Sequence, residues 1–231
     1  MTYGLSKSDV ESLLLESAKH SCKKSDAPCV KIAAIAKLPT RFGKFQVLAF
    51  DNNIDSKEHI ALVHGKVLGK SNVLVRIHSE CLTGDALGSM RCDCRDQLEA
   101  ALKRISKAKA GVLLYLRQEG RGVGLENKIR AYQLQDKGYD TFEANEALGF
   151  KYDERDYAIA AHILNSLHIK SINLMTNNPN KISDLKHHGV KITGRIPIVT
   201  KPNKYNMFYL KTKMVKGGQM LDIHQAEARG R

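Results

Sequence analysis

Three cysteines lie close together in the chain, in Glu80-Cys81-Leu82-Thr83-Gly84-Asp85 and in Arg91-Cys92-Asp93-Cys94. Three thiolates fill three corners of a tetrahedral zinc ion. Structural zinc sites close all four corners, whereas catalytic ones keep one position for water. No fourth Cys or His follows at finger spacing. The pattern therefore predicts Cys81, Cys92 and Cys94 as ligands of one Zn2+ that does chemistry on water. Cysteine is otherwise a small apolar core residue. A core stretch, however, does not carry Arg76, His78, Ser79, Glu80, Asp85, Arg91 and Asp93 together.

Two more segments have the composition of an anion site. Arg117-Gln118-Glu119-Gly120-Arg121-Gly122-Val123-Gly124 lies between an apolar run and a helical pattern. Glycines there let backbone N–H groups approach an anion, arginines fork onto phosphate, and a Glu can accept the N–H groups of a guanine edge. The same glycines also suit a plain strand-to-helix turn. In Thr176-Asn177-Asn178-Pro179-Asn180-Lys181, Thr and Lys suit phosphate oxygens, while Asn178 and Pro179 suit the start of a helix. A third segment, Asp153-Glu154-Arg155-Asp156-Tyr157, is rich in titratable groups, and Asp153 there can equally cap a helix.

The elements that must position these residues alternate. Residues 73–78 and the apolar run 111–116 read as strands, the second covered on both faces. Helices are expected over 96–107, from Leu125 to a stop at Gly138, over 153–167, and over 179–188 with a stop at Gly189; a strand is expected over 172–175. Residues 30–67 show short alternating segments and predict a small N-terminal antiparallel β region. The fold class is α/β, with a three-layer mixed-sheet domain. Residues 1–29 read as a helical extension. Ser8-Asp9-Val10-Glu11 has the form of a capping box, Val10, Leu13, Leu14 and Ala18 make the apolar stripe, and the stop falls at Asp26-Ala27-Pro28. Residues 214–231 read as a basic, mobile tail.

Composition narrows the partners. The net charge of +13 fits nucleic acid, an acidic surface or a polyanionic small molecule. The basic residues are scattered, Trp is absent and aromatics do not interleave with them, so no specific nucleic acid is expected. No apolar run has membrane length, and an odd number of cysteines, five, of which three have metal-like spacing, favours a reducing compartment; a cytoplasmic protein without membrane contact is expected.

Taken in order, Arg76-Ile77-His78-Ser79-Glu80-Cys81, Arg91-Cys92-Asp93-Cys94, Arg117-Gln118-Glu119-Gly120-Arg121, Asn127-Lys128-Ile129-Arg130-Ala131-Tyr132, Asp140-Thr141 and Thr176-Asn177-Asn178-Pro179 resemble the GTP cyclohydrolase II family, over residues 30–213. The resemblance implies zinc on Cys81, Cys92 and Cys94. It implies GTP contacts from Arg76, Ile77, His78, Ser79, Glu80 and Gln97, from Glu119, Gly120 and Arg121, and from Thr141, Thr176 and Lys181. Asp153 is implied as proton acceptor, Arg155 as nucleophile towards the α-phosphate, and Tyr132 as a helper in ring opening. A homodimer and Mg2+ on the triphosphate are implied as well. The implied reaction opens the guanine imidazole ring of GTP, releases formate and diphosphate, and begins riboflavin synthesis.

Arginine is normally protonated and a poor nucleophile. Direct attack by water, with Arg155 only stabilising charge, is therefore kept beside the covalent route. Two other functions compete. His78-Ser79-Glu80 matches the His-x-Glu of zinc nucleotide deaminases, although that class uses Cys-x-x-Cys where this chain has Cys-x-Cys. A basic zinc module for nucleic acid requires four closed ligands and a steep salt dependence.

Overall fold

The computed structural model describes residues 3–21 and 28–221. Among these, strands β1 (Val30–Thr40), β2 (Gly43–Asn52), β3 (His59–Gly65), β4 (Val73–Ser79), β5 (Ala110–Leu116), β6 (Ile172–Met175) and β7 (Ile192–Ile196) form one sheet in the order β1-β2-β3-β5-β4-β6-β7. The pairs from β1 to β5 are antiparallel and those from β5 to β7 parallel. The expected antiparallel region is thus half of the same sheet, joined to the parallel half through Ile60 opposite Tyr115 and Val63 opposite Val112.

Side-chain alternation makes the layers. Val73, Val75 and Ile77 of β4, with Val112, Leu114 and Leu116 of β5, enter one core together with Leu13, Ile163, Leu164 and Leu185. Those last residues belong to helices α1 (Lys7–Lys19), α6 (Ala158–Ser166) and α7 (Pro179–His187). Leu113, Met175, Phe45 and Leu62 point the other way, onto Ala101, Leu102 and Ile105 of α3 (Cys94–Ile105). Each such side chain contributes about 1.5–3 kcal/mol on burial. The even positions of β4 fall on the α3 face, which is why Arg76 and His78 stand on the side opposite Val75 and Ile77.

The remaining helices are α2 (Leu82–Asp85), α4 (Gly124–Gln135), α5 (Thr141–Ala147) and α8 (Met207–Val215). From β4 the chain crosses through α3 to β5 on one side, and from β6 through α7 to β7 on the other. The strand order therefore reverses at the carboxyl ends of β4 and β6, where ligand crevices form in open α/β sheets.

Several expected boundaries shift. The capping box of α1 begins at Ser6, not Ser8: Ser6 Oγ accepts from Asp9 N at 3.1 Å, and Ser6 N donates to the Asp9 carboxylate at 2.7 Å. The helix ends at His20, and residues 26 and 27 of the expected stop lie outside the described residues. The helix expected over 153–167 begins only at Ala158. The Asp153 carboxylate instead accepts from Arg155 N at 3.2 Å, a local bond that holds the chain out of helix. Helices α2, α5 and α8 and strand β7 were not anticipated; three are shorter than eight residues and too brief for a period to show. Helix α8 crosses the expected boundary at 213/214, and Met220 N donates to Asn177 O at 2.8 Å, so the start of the expected tail packs on the body. Residues 222–231 of that tail lie outside the described residues. No helix among the described residues is long and apolar enough to cross a membrane.

The cap assignment is testable in urea. Ser6→Ala is expected to lower unfolding stability by about 1 kcal/mol, and Ser8→Ala by less than about 0.5 kcal/mol. Equal losses would remove Ser6 as the cap.

Candidate active site

One cavity opens where β4, β5 and β6 end. Its wall combines Cys81, Cys92 and Cys94 with Arg76, Arg121, Arg155 and Lys181. It also takes Tyr132 from α4, Thr141 and Asn145 from α5, and Tyr209 and Lys213 from α8.

The three sulfurs all lie within 4.8 Å of one another, and Cys81 and Cys92 are 3.7 Å apart. Two sulfurs on a tetrahedral zinc at about 2.3 Å stand about 3.8 Å apart. Gly84 makes room for this trio. A Cβ there would meet Cys92 Sγ at 2.6 Å and Cys81 Sγ at 3.1 Å. Hydrogen bonds from the neighbouring thiols, reinforced by Lys128, hold the Cys81 thiol far below its ordinary value despite burial. Cys92 is pushed up to about 11, mainly through its bond to Cys81, and Cys94 is pushed well above its ordinary value, first by its bond to Cys81.

The cysteine loop is fixed by two carboxylates. Asp85 accepts from Cys81 N at 3.0 Å, from Tyr115 Oη at 2.9 Å and from His78 Nε2 at 3.0 Å. Burial lowers the His78 pKa, and its ring stacks on Tyr115 at 5.5 Å. Glu119 accepts from Leu82 N at 2.6 Å, Gly120 N at 2.7 Å and Lys128 Nζ at 2.7 Å. Lys128 also donates to Cys81 Sγ at 3.1 Å, and burial, which opposes its charge, is outweighed by Cys81 and Glu119. Tyr132 lies one helical turn along α4 from Lys128, and its hydroxyl meets Thr83 Oγ1 at 3.4 Å. Burial pushes the Tyr132 hydroxyl up to about 12, so it stays a donor at neutral pH.

The other half of the cavity is cationic. Arg76 is buried, donating to Met175 O at 3.1 Å and Gln97 Oε1 at 2.6 Å, and burial lowers its pKa to about 10. Gln97 in turn donates to Asp93 at 2.5 Å, and Lys213 Nζ stands 3.5 Å from the same carboxylate. Lys181 is only 4 % exposed and donates to Ile77 O at 2.8 Å. Burial first, then Arg76 and Arg155, push its pKa well down. Arg155 forks onto Asp153 at 2.7 and 2.5 Å and reaches Ser79 Oγ at 3.3 Å. Against burial, Tyr157 and Asp153 hold its guanidinium charged, while Arg155 keeps Asp153 below the usual carboxylate range although burial opposes it. Arg121 adopts a left-handed backbone, φ 62°, beside Gly120, φ 63°, and lies over the Tyr152 ring at 3.9 Å.

Most of the residues read from the sequence therefore share this wall: Arg76, His78, Ser79, Glu80, Gln97, Glu119, Gly120, Arg121, Tyr132, Thr141, Arg155, Thr176 and Lys181. Two stand apart. The Ile77 side chain is fully buried in the core and offers only its carbonyl, to Lys181. Asp153 faces a separate shallow depression with Tyr157, Asn180 and Asp184, reached through Arg155. Glu119 meets the cavity, but three N–H donors already occupy its carboxylate, leaving one lone pair on Oε2 for a guanine edge. Thr176 Oγ1 accepts from Asn178 N at 3.0 Å and Asn178 caps α7 through Asn180 N at 3.0 Å, so the local turn reading holds at the cavity wall. Sequence reasoning gave no role to Lys128, Asp85, Tyr115, Lys213 or Tyr209. The spacing of Lys128 four residues before Tyr132 is the signal that puts both on one helix face.

Thiols converging beside buried cations at the switch point of an α/β sheet define an enzyme domain built for a polyanionic small molecule. A family model described as GTP cyclohydrolase II matches residues 31–197. The chain belongs to the GTP cyclohydrolase II family of riboflavin biosynthesis enzymes. It is 56% identical over 185 residues to the "GTP cyclohydrolase-2" of Picrophilus torridus, covering 80% of this chain and 96% of that one. Against "GTP cyclohydrolase-2" of Campylobacter hominis the identity is 57% over 193 residues, covering 84% and 96%. The "Riboflavin biosynthesis protein RibBA" of Endomicrobium trichonymphae is 58% identical over 184 residues; 80% of this chain matches 46% of that longer protein.

Glu119→Gln is expected to destabilise the fold by about 3 kcal/mol, because it leaves the buried Lys128 cation without its carboxylate. Urea unfolding checks this; a change below about 0.5 kcal/mol would show that Glu119 does not hold the cysteine loop.

Proposed function

We propose that this chain binds GTP, as its Mg2+ complex, in the cavity and hydrolyses it to formate, diphosphate and a phosphoribosylaminopyrimidine. The observation that supports this most directly is the pairing of a three-sulfur cluster with buried, under-compensated cations in one cavity.

Cys81, Cys92 and Cys94 are the residues that hold zinc. Their donor type, the 3.7 Å sulfur separation and the space left by Gly84 all fit that ion. Bound there, zinc would supply a hydroxide nucleophile near neutral pH. The chain does the rest. Lys128 offsets part of the negative charge that three thiolates bring. Tyr132, still protonated, donates towards the ring being opened. Asp85 and Glu119 hold the cysteine loop in place. Arg76, Arg121, Arg155 and Lys181 take the phosphates, and the phosphate charge offsets what burial costs them. Arg155 acts as a protonated fork that stabilises charge on the α-phosphate. Its bidentate pairing with Asp153 at 2.7 and 2.5 Å keeps the proton on and leaves no lone pair for attack. The same pairing makes Asp153 a positioning group for Arg155. Free thiols at Cys29, Cys81, Cys92 and Cys94 fit a cytoplasmic setting. A homodimer is proposed from the family alone.

Cys92→Ser is expected to lose the bound zinc and at least about 1,000-fold of formate release. Full zinc retention together with unchanged turnover in that variant would sink the assignment.

For Arg155, replacement by Ala should abolish diphosphate release while zinc stays bound. Arg155→Lys should keep measurable release, because a point charge survives. Mass spectrometry of enzyme quenched during a single turnover should show no nucleotidyl adduct; a reproducible adduct on Arg155 would replace this reading with the covalent one.

A further inference from the structure

His20, Cys29 and His162 converge on the sheet face that carries α1 and α6, with one ring nitrogen from each histidine and the Cys29 sulfur all within 4.8 Å of one another. None of them lines the cavity described above.

They come from three separate elements, each anchored by backbone bonds. His20 ends α1, its N–H bonded to Ser17 O at 3.2 Å. Cys29 precedes β1; its N–H donates to Asn53 Oδ1 at 2.7 Å and its carbonyl accepts from Asn53 N at 3.2 Å. His162 lies within α6, between the buried Ala161 and Ile163. The two imidazoles meet edge to face at 5.2 Å. Burial, and then the nearby His20, push the His162 pKa below its ordinary value, which favours the neutral ring that a metal binds.

We propose that His20, Cys29 and His162 form a metal site for a divalent transition cation of the zinc class, which staples the N-terminal helix to the catalytic domain. Two imidazoles and a thiolate select zinc-like ions over Mg2+ or Ca2+, which prefer oxygen. Tetrahedral zinc, with Zn–N near 2.0–2.1 Å and Zn–S near 2.3 Å, needs donors about 3.4–3.6 Å apart. Such a cation adds to two existing ties of α1: Ser17 Oγ accepts from Ile32 N at 2.5 Å, and Glu16 meets His168 at 2.8 Å. It involves no residue of the cavity, so it stands or falls independently of the proposed reaction.

The test uses the full chain stripped of metal, with zinc alone as the probe. Alkylation of each cysteine by N-ethylmaleimide is followed by peptide mapping, which reads Cys29 apart from Cys22, Cys81, Cys92 and Cys94. At zinc about 100 times the dissociation constant, Cys29 alkylation is expected to slow about 100-fold in the wild type. In the His20→Gln/His162→Gln double variant that protection should vanish, and bound zinc should fall by about one equivalent per chain. Should circular dichroism show the double variant unfolded, the single His20→Gln change at the helix end gives the same two readouts. Cys29 alkylated at one rate with and without zinc, or protected equally in the histidine variants, overturns the proposal.

Discussion

Three sulfurs crowded into a mostly buried pocket are an electrostatic problem, and much of the neighbouring structure answers it. Like charges at 3.7 Å cannot all form without compensation nearby. Lys128 is the cation that touches the cluster, and it does so while bonded to Glu119. Glu119 in turn accepts the backbone N–H of Leu82, the residue after the first cysteine. A single charge chain thus runs from the β5 end through α4 to the cysteine loop. Asp85 closes the loop from the other side by gathering Cys81, Tyr115 and His78. The short helix α2 exists between these two carboxylates, and Gly84 within it is small because the sulfurs occupy the space.

The cationic end of the cavity is arranged differently. Asp153 matches Arg155 and Asp93 faces Lys213, while Arg76 and Lys181 spend their donors on carbonyl and amide oxygens. Positive charge is left over on the cavity wall, which is how a site for a polyanion differs from a stable ion-pair network. The sheet makes this affordable. Fully buried Val75, Ile77, Leu114 and Leu116 lie on the opposite face of the same strands, and supply the stability that the cationic face does without.

Legibility in the sequence followed the range of the interactions. The strands β4, β5 and β6 were readable because each is a short apolar run with neighbours that end it. The cysteine spacing was readable because ligand geometry acts over a few residues. The helix expected from Asp153 starts late because the Asp153 carboxylate is held two residues on, by the guanidinium and the backbone N–H of Arg155, in a local turn that competes with helical bonds. Glu119 was expected to face the substrate, and what it mainly does is hold Leu82 and Lys128, contacts that span 37 and 9 residues and leave no local trace. Lys213 and Tyr209 reach the wall from α8, a contact between segments far apart in the chain that leaves no local trace. The site residues drawn from family resemblance nevertheless share one cavity, apart from the Ile77 side chain and Asp153.

The return of the chain after α8 bears on how the protein can be handled. Gln219 lies in the cavity wall, and Met220 is bonded to Asn177 at 2.8 Å. Gly217 is packed so closely against Tyr152 that an added Cβ would stand 2.7 Å from its hydroxyl. A purification tag or fusion partner grafted directly after residue 213 would replace part of the cavity wall with foreign sequence. Ligation at the N-terminal side, ahead of Ser6, leaves that wall untouched, so the choice of fusion end is also a choice about the integrity of the cavity.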